Sequence, residues 1–189
     1  MSQLEIVAFL LGLANVTLVV RRSVWNYPFG LVMVALYGVI FLDVRLYSDA
    51  LLQAFFFVVQ IYGWWNWSRA QARDGEVVVG YLDDRARLIW AAGCLIAFAL
   101  WGYGMHRFTD ASYPWLDAAL AIMSVAAQIL MSRRAIESWW LWIAVDTGSI
   151  GLYAAKELWL TMLLYAIFLG LAIWGLLDWR AVARRRAVV

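Results

Sequence analysis

The stretch LYSDALLQAFFFVVQIYGWWNW, residues 46–67, decides the reading of this chain, because it returns 112 residues later as LWLTMLLYAIFLGLAIWGLLDW, residues 158–179. Without a gap, Leu46, Leu51, Leu52, Ala54, Phe56, Ile61, Gly63 and Trp67 meet identical residues at Leu158, Leu163, Leu164, Ala166, Phe168, Ile173, Gly175 and Trp179. The same offset sets Arg21-Arg22 on Arg133-Arg134, Leu18 on Leu130 and Glu5 on Asp117. Apolar segments often match one another by chance. An ungapped register that also aligns a double arginine and a Gly-x-x-x-Trp ending points instead to an internal duplication.

Composition names the class. The chain is 66% hydrophobic and only 15% charged, with 13 Trp among its 189 residues and a mean hydropathy of +0.75. Soluble domains are about half apolar and about a quarter charged, so an all-α polytopic membrane protein is expected. The apolar runs are too long for barrel strands and lack two-residue alternation. Taking about 20 apolar residues per crossing, seven spans are predicted: Leu4–Val20, Trp25–Leu42, Leu46–Asn66, Leu88–Gly104, Trp115–Met131, Trp139–Ala154 and Trp159–Leu177. Leu4–Val20 has no basic residue before it and two arginines after it, the reverse of a secretory signal, so it reads as a retained span. Ser68–Arg87, charged and glycine-containing, reads as a solvated linker, within which Glu76-Val77-Val78-Val79 is the one piece able to pack.

Basic residues set the orientation. Arg21, Arg22, Arg69, Arg73, Arg85, Arg87, Arg133, Arg134, Arg180, Arg184, Arg185 and Arg186 fall on one side, against Arg45, Arg107 and Lys156 on the other. The first side is expected in the cytoplasm, with the N-terminus outside and the C-terminus inside. A three-span unit ends on the side opposite its start. Two such units share one orientation only when a single span separates them, and span four does so. The expected architecture is therefore two parallel three-helix repeats joined by a linking helix (3+1+3). Its parts are a first repeat (1–67), a linker plus connecting helix (68–110), a second repeat (111–179) and a basic tail (180–189) that meets anionic lipid heads. Parallel repeats of this kind point to transporters with a site between the halves.

Ionisable groups inside a span are costly and usually face a partner or a water-filled cavity. Asp146 lies near the middle of span six, and Trp142, Asp146, Ser149 and Tyr153, spaced four, three and four apart, share one helical face. Gln53 and Tyr165, and likewise Tyr37 and Ser149, are repeat mates near the centres of their spans. Gln60 lies two turns from Gln53 on the same face, span five presents Asp117, Ser124 and Gln128 on one stripe, and span one carries Asn15. Taken singly, each is as well explained by an interhelical hydrogen bond. Their convergence favours a cavity. Trp64, Trp65, Trp67, Trp174 and Trp179, at helix ends, fit an interfacial belt or packing.

Several chemistries are missing. There is no Gly-x-x-x-x-Gly-Lys loop for ATP, one His (His106, placed in an outer loop) and one Cys (Cys94), so no multi-ligand metal site is expected. The sole Lys, Lys156, falls at a helix end, away from any serine nucleophile. No catalysis, cofactor or nucleic-acid partner is expected.

The run Gln128-x-Leu-Met-x-Arg-Arg-x-x-Glu137, followed by Trp139-Trp140, Trp142-Ile143-x-Val145-Asp146, Ser149-Ile150, Leu152-Tyr153 and Lys156, resembles the second half of the nicotinamide riboside transporter family (PnuC). Asn26-Tyr27-Pro28-Phe29-Gly30 through Leu52-Gln53 to Tyr62-Gly63-Trp64-Trp65 and Trp67 looks like that family's first repeat. The resemblance implies a seven-span 3+1+3 fold of SWEET-like architecture, often a homotrimer in the bacterial inner membrane. It also implies facilitated diffusion of an unphosphorylated vitamin precursor by alternating access, trapped afterwards by a cytoplasmic kinase. Family cargoes include nicotinamide riboside, thiamine and riboflavin. Asn is common in the family where this chain has Asp146. A carboxylate beside Trp142 suits a flat aromatic cation such as nicotinamide riboside or thiamine. A protonated Asp146, favoured by desolvation, would instead donate a hydrogen bond or couple transport to protons, and the sequence leaves both states open. The substrate is expected against Trp142, Asp146, Ser149 and Tyr153 on one side and Gln53, Gln60 and Tyr37 on the other, with Gln128 and Tyr165 nearby. A vitamin-binding membrane subunit of an ATP-driven importer is the rival of another class.

Overall fold

The computed structural model describes residues 3–43, 47–109, 113–155, 157 and 159–186. They form seven helices: α1 (Gln3–Val20), α2 (Asn26–Asp43), α3 (Tyr47–Asp74), α4 (Asp84–Phe108), α5 (Pro114–Ser132), α6 (Glu137–Ala155) and α7 (Trp159–Arg186). Among the described residues there is no strand, only an isolated bridge between Gly80 and Ala135. Four of the helices, α2, α4, α5 and α7, are long and apolar enough to cross a membrane. The polar C-terminal turns of α3 dilute its apolar run, and Glu137, Asp146, Thr147 and Ser149 do the same within α6.

Helix contacts close a ring. Each of α1, α2, α3, α5, α6 and α7 packs on its two neighbours in that order, and α7 returns to α1. Helix α4 stands outside and packs on α5 alone among the described elements. There the Trp115 ring lies against Gly102, where a larger residue would collide, and 5.6 Å from Phe98. The rest of α4, including Leu88, Leu95, Ile96 and Leu100, is exposed as a lipid-facing surface would be.

Details at the arginine-rich end repeat at 112-residue spacing. After α1 the Ser23 N–H donates to the Leu18 carbonyl (2.9 Å), and after α5 the Ala135 N–H donates to the Leu130 carbonyl (3.0 Å). Arg22 (φ 55°) and Arg134 (φ 65°) occupy the left-handed position of these caps, which glycine usually fills. For an L-residue this conformation costs roughly 1–2 kcal/mol. Tyr27 meets Trp67 edge-on at 5.4 Å and 88°, and Trp139 meets Trp179 at 5.4 Å and 87°. The two tryptophans face each other at 5.8 Å. The Trp67 indole donates to the Met131 carbonyl (3.2 Å), and the Trp179 indole donates to the carbonyls of Val19 (3.3 Å) and Val20 (3.2 Å). These bonds join α3 to α5 and α7 to α1; the Val19 and Met131 carbonyls also accept the N–H groups of Arg22 and Arg134, so there the indoles take the second lone pair of a helix-end carbonyl.

Several sequence expectations need correction. Ser68–Arg87 is not a solvated linker. Helix α3 continues through Asp74, and Val77 and Val79 are buried with Val19, Trp67, Ile136, Trp139 and Trp179. The Gly80 N–H donates to the Arg134 carbonyl, the Gly80 carbonyl accepts from Ile136, and the Leu82 N–H reaches the Glu137 carboxylate. The segment is thus strapped across the α5–α6 turn because its alternate valines have an apolar seat. Helix α7 continues past Trp179 through Arg186, which pairs with Glu76; residues 187–189 of the basic tail lie outside the described residues. Of the two places expected for the helix-end tryptophans, Trp67 and Trp179 take packing, fully buried, whereas Trp64, Trp65 and Trp174 are exposed. His106 lies in the last turn of α4, not in a loop.

Candidate substrate-binding site

Asp146 sits mid-way along α6, 5% exposed, beside Ser149 at 3%. Among the described residues its carboxyl takes part in none of the ion pairs. A buried carboxyl of this kind is held only when another group answers it. Tyrosines gather around it. The rings of Tyr153 (α6) and Tyr165 (α7) stack at 5.3 Å, and their side chains share a hydrogen bond. The carboxyl of Asp146 and the hydroxyl of Tyr37 (α2) lie near enough to act electrostatically on the Tyr165 hydroxyl. Tyr37 in turn stacks on Phe41 at 5.9 Å. Helices α2, α6 and α7 therefore bring three phenols and one acid to a single region.

The remaining expected residues take other places. Trp142 is half-buried and packs against the aromatic core one turn from Asp146. Gln53 packs beside Gly38, next to Tyr37. Gln60 is buried against Gly30, whose backbone also carries the Asn15 carboxamide. Asn15 donates to the Asn26 carbonyl at 2.7 Å, so α1, α2 and α3 meet in a polar knot that no side chain at position 30 would permit. At 112-residue spacing this knot corresponds to Ala127, Trp142 and Ala172. The large indole stands where two carboxamides have been replaced by methyl groups. Gln128 is half-buried on α5, and Ser124 is spent on the Leu120 carbonyl of its own helix.

Reasoning from sequence missed Gly30 as the organiser of the knot. The one signal was its offset partner, Trp142, a size difference that demands compensation elsewhere. Two open cavities lie away from Asp146. One, about 300 Å³, is an apolar groove of α2 and α3 around Leu36 and Phe57. The other, about 630 Å³, is at the arginine-rich end and is lined by Arg22, Glu76, Val182, Arg185 and Arg186.

Comparison with known proteins gives this arrangement a context. Residues 2–181 match the profile of the family described as "Nicotinamide mononucleotide transporter". The nicotinamide riboside transporter PnuC of Escherichia coli (strain K12) is 30% identical over 211 residues, 98% of this chain and 88% of that protein. The riboflavin/roseoflavin transporter RibM of Streptomyces davaonensis is 32% identical over 192 residues, 96% of this chain and 86% of its own. The crystal structure of the vitamin B3 transporter PnuC superposes with a TM-score of 0.79 at 28% identity, over 97% of this chain and 83% of that one. With a family profile spanning almost its whole length and an all-helical, largely lipid-facing body, this multi-pass membrane protein belongs to the nicotinamide mononucleotide transporter family.

Proposed function

We propose that the protein takes up nicotinamide riboside by facilitated diffusion across a bacterial inner membrane, with cytoplasmic phosphorylation trapping the product. The carrying observation is Asp146, a buried acid without an ion-pair partner among the described residues, set among Tyr37, Tyr153 and Tyr165. A pyridinium cation would supply the missing charge, the phenols would meet ribose hydroxyls, and Trp142 would add a cation–π contact of ~0.5–2 kcal/mol. Ser149, Gln53, Gln60 and Gln128 complete the proposed lining.

We read the body as seven spans, two parallel three-helix repeats (1–67 and 111–179) flanking α4, with the arginine-rich end in the cytoplasm. The paired caps, the matched aromatic contacts and the ring order of the helices support that reading. Alternating access would follow from rocking one repeat against the other. A homotrimer belongs to the same reading, and its test is the mass of the purified complex.

Uptake of labelled riboside by the purified protein in liposomes, without nucleotide, tests the function. Transport is expected, and Asp146→Asn should lower its efficiency about tenfold, the equivalent of ~1.4 kcal/mol. Unchanged kinetics would remove Asp146 from the site. Binding without transport would favour a capture subunit of an ATP-driven importer. The Streptomyces relative favours a second reading, a flavin cargo. Riboflavin is neutral, so flavin uptake indifferent to Asp146→Asn would establish it over the riboside.

A further inference from the structure

The cavity of about 630 Å³ at the arginine-rich end lies between the α1–α2 turn, the segment after α3 and the last turns of α7. Its size falls in the ~300–1,000 Å³ range of small-molecule sites. Arg22, Arg185 and Arg186 line it together with Glu76 and Val182. Two of these charges are answered: Arg22 by Asp178 and Arg186 by Glu76. Arg185 takes part in no ion pair among the described residues.

A further arginine, Arg134, lies behind the cleft without lining it. At 112-residue spacing Arg134 corresponds to Arg22, but the partner position of Asp178 is Asn66, whose side chain is spent on the Ser132 carbonyl (2.9 Å). The Arg134 Nε is buried and lacks a hydrogen-bond partner. Arg134 and Arg186 both lie near enough to act on Asp74, and the Asp74 carboxylate is already held by Arg73 through two bonds of 3.0 Å. The cleft's own lining is therefore short by one negative charge, at Arg185, with the positive field of Arg134 behind it.

We propose that this cleft binds a phosphate group. A phosphate monoester carries about −1.5 to −2 at neutral pH, enough to answer Arg185 and to replace Glu76 on Arg186, and guanidinium forks fit its oxygens. Glu76, with more than half of its side chain exposed, would swing away from Arg186 as the anion enters. The group can come from a soluble nucleotide or from a lipid head. Neither depends on which cargo crosses the membrane.

The test is titration of the purified full-length protein in uncharged detergent with inorganic phosphate and with nicotinamide mononucleotide. Native mass spectrometry after exposure to phosphatidylglycerol is run in parallel, and riboside binding is measured separately as a check on folding and on the central site. Saturable binding is expected. It should weaken about tenfold or more in Arg185→Gln/Arg186→Gln, as loss of charge-assisted bonds dictates, and tighten in Glu76→Gln. Retention of phosphatidylglycerol instead, lost in the double variant, would assign the site to a lipid head. Binding of neither, or binding indifferent to all three substitutions, overturns the proposal. Failure of riboside binding alone would count against the cargo and leave the cleft's result standing.

Discussion

Gly175→Ala puts the packing of α7 on α6 under direct test. A methyl group at position 175 would lie closer than 3 Å to three carbons of the Trp139 indole. The ring has no room to retreat, being 1% exposed and pressed edge-on against Trp179. Overpacking of this kind costs about 1–3 kcal/mol. Alanine's better helix propensity opposes it by up to about 1 kcal/mol, so a control is needed on the same helix. Gly170 supplies it, because an added methyl there meets nothing within 4 Å. The difference between the two variants isolates the clash. For a chain of this size it corresponds to an apparent melting shift of roughly 2–10 °C, followed by tryptophan fluorescence in detergent at a fixed scan rate. Trp139→Leu placed on Gly175→Ala should recover part of the loss as a coupling between neighbours. Equal melting of Gly175→Ala and Gly170→Ala would refute the close packing of α6 on α7 described above.

Further expectations are as direct. Trp179→Phe keeps the ring but removes the indole bond to the Val19 and Val20 carbonyls, of which Val19 keeps its bond from the Arg22 N–H, and should lower stability by about 0.5–1.5 kcal/mol in the same melting assay; Trp67→Phe should do likewise at the Met131 carbonyl, which keeps its bond from the Arg134 N–H. Val79→Asp would bury a carboxylate beneath the aromatic core, and cysteine labelling of the 75–83 segment in that variant should show the strap released. Leu95→Ala, on the 67% exposed face of α4, should change melting by less than about 0.5 kcal/mol. Arg22→Gln should cost no more than about 1 kcal/mol, since Asp178 is more than a third exposed.

The matched contacts at the arginine-rich end were written in the chain at a spacing of 112 residues. The double arginines announced two helix ends of one shape, and the Gly-x-x-x-Trp endings placed Trp67 and Trp179 where they meet. The burial of Asp146 was legible because an apolar helix rarely turns an acid to lipid, and the meeting of Tyr153 with Tyr165 followed from helical spacing and register. The strap was not legible. Three valines in a row carry no period, and the burial of Val77 and Val79 depends on a seat built by six helices, α1, α2, α3, α5, α6 and α7. The lengths of α3 and α7 were missed for a related reason, since charged residues suit a solvated helix as well as a loop. The knot at Gly30 was hidden because it exists only where three helices converge.

The indole of Trp179 bonds a carbonyl 160 residues earlier in the chain. During synthesis α1 leaves the ribosome first, and the end of α1 at Val20 then waits for an indole that does not yet exist. A chain broken off after Leu177 would own nearly all of its apolar length and still leave its helical ring unlatched. Long-range closures of this sort are the late and slow steps of assembly. Membrane proteases that survey unfinished chains should therefore read completion at the last turns of α7, and C-terminal truncations that stop short of Trp179 should be degraded although nearly all of their apolar length is already made.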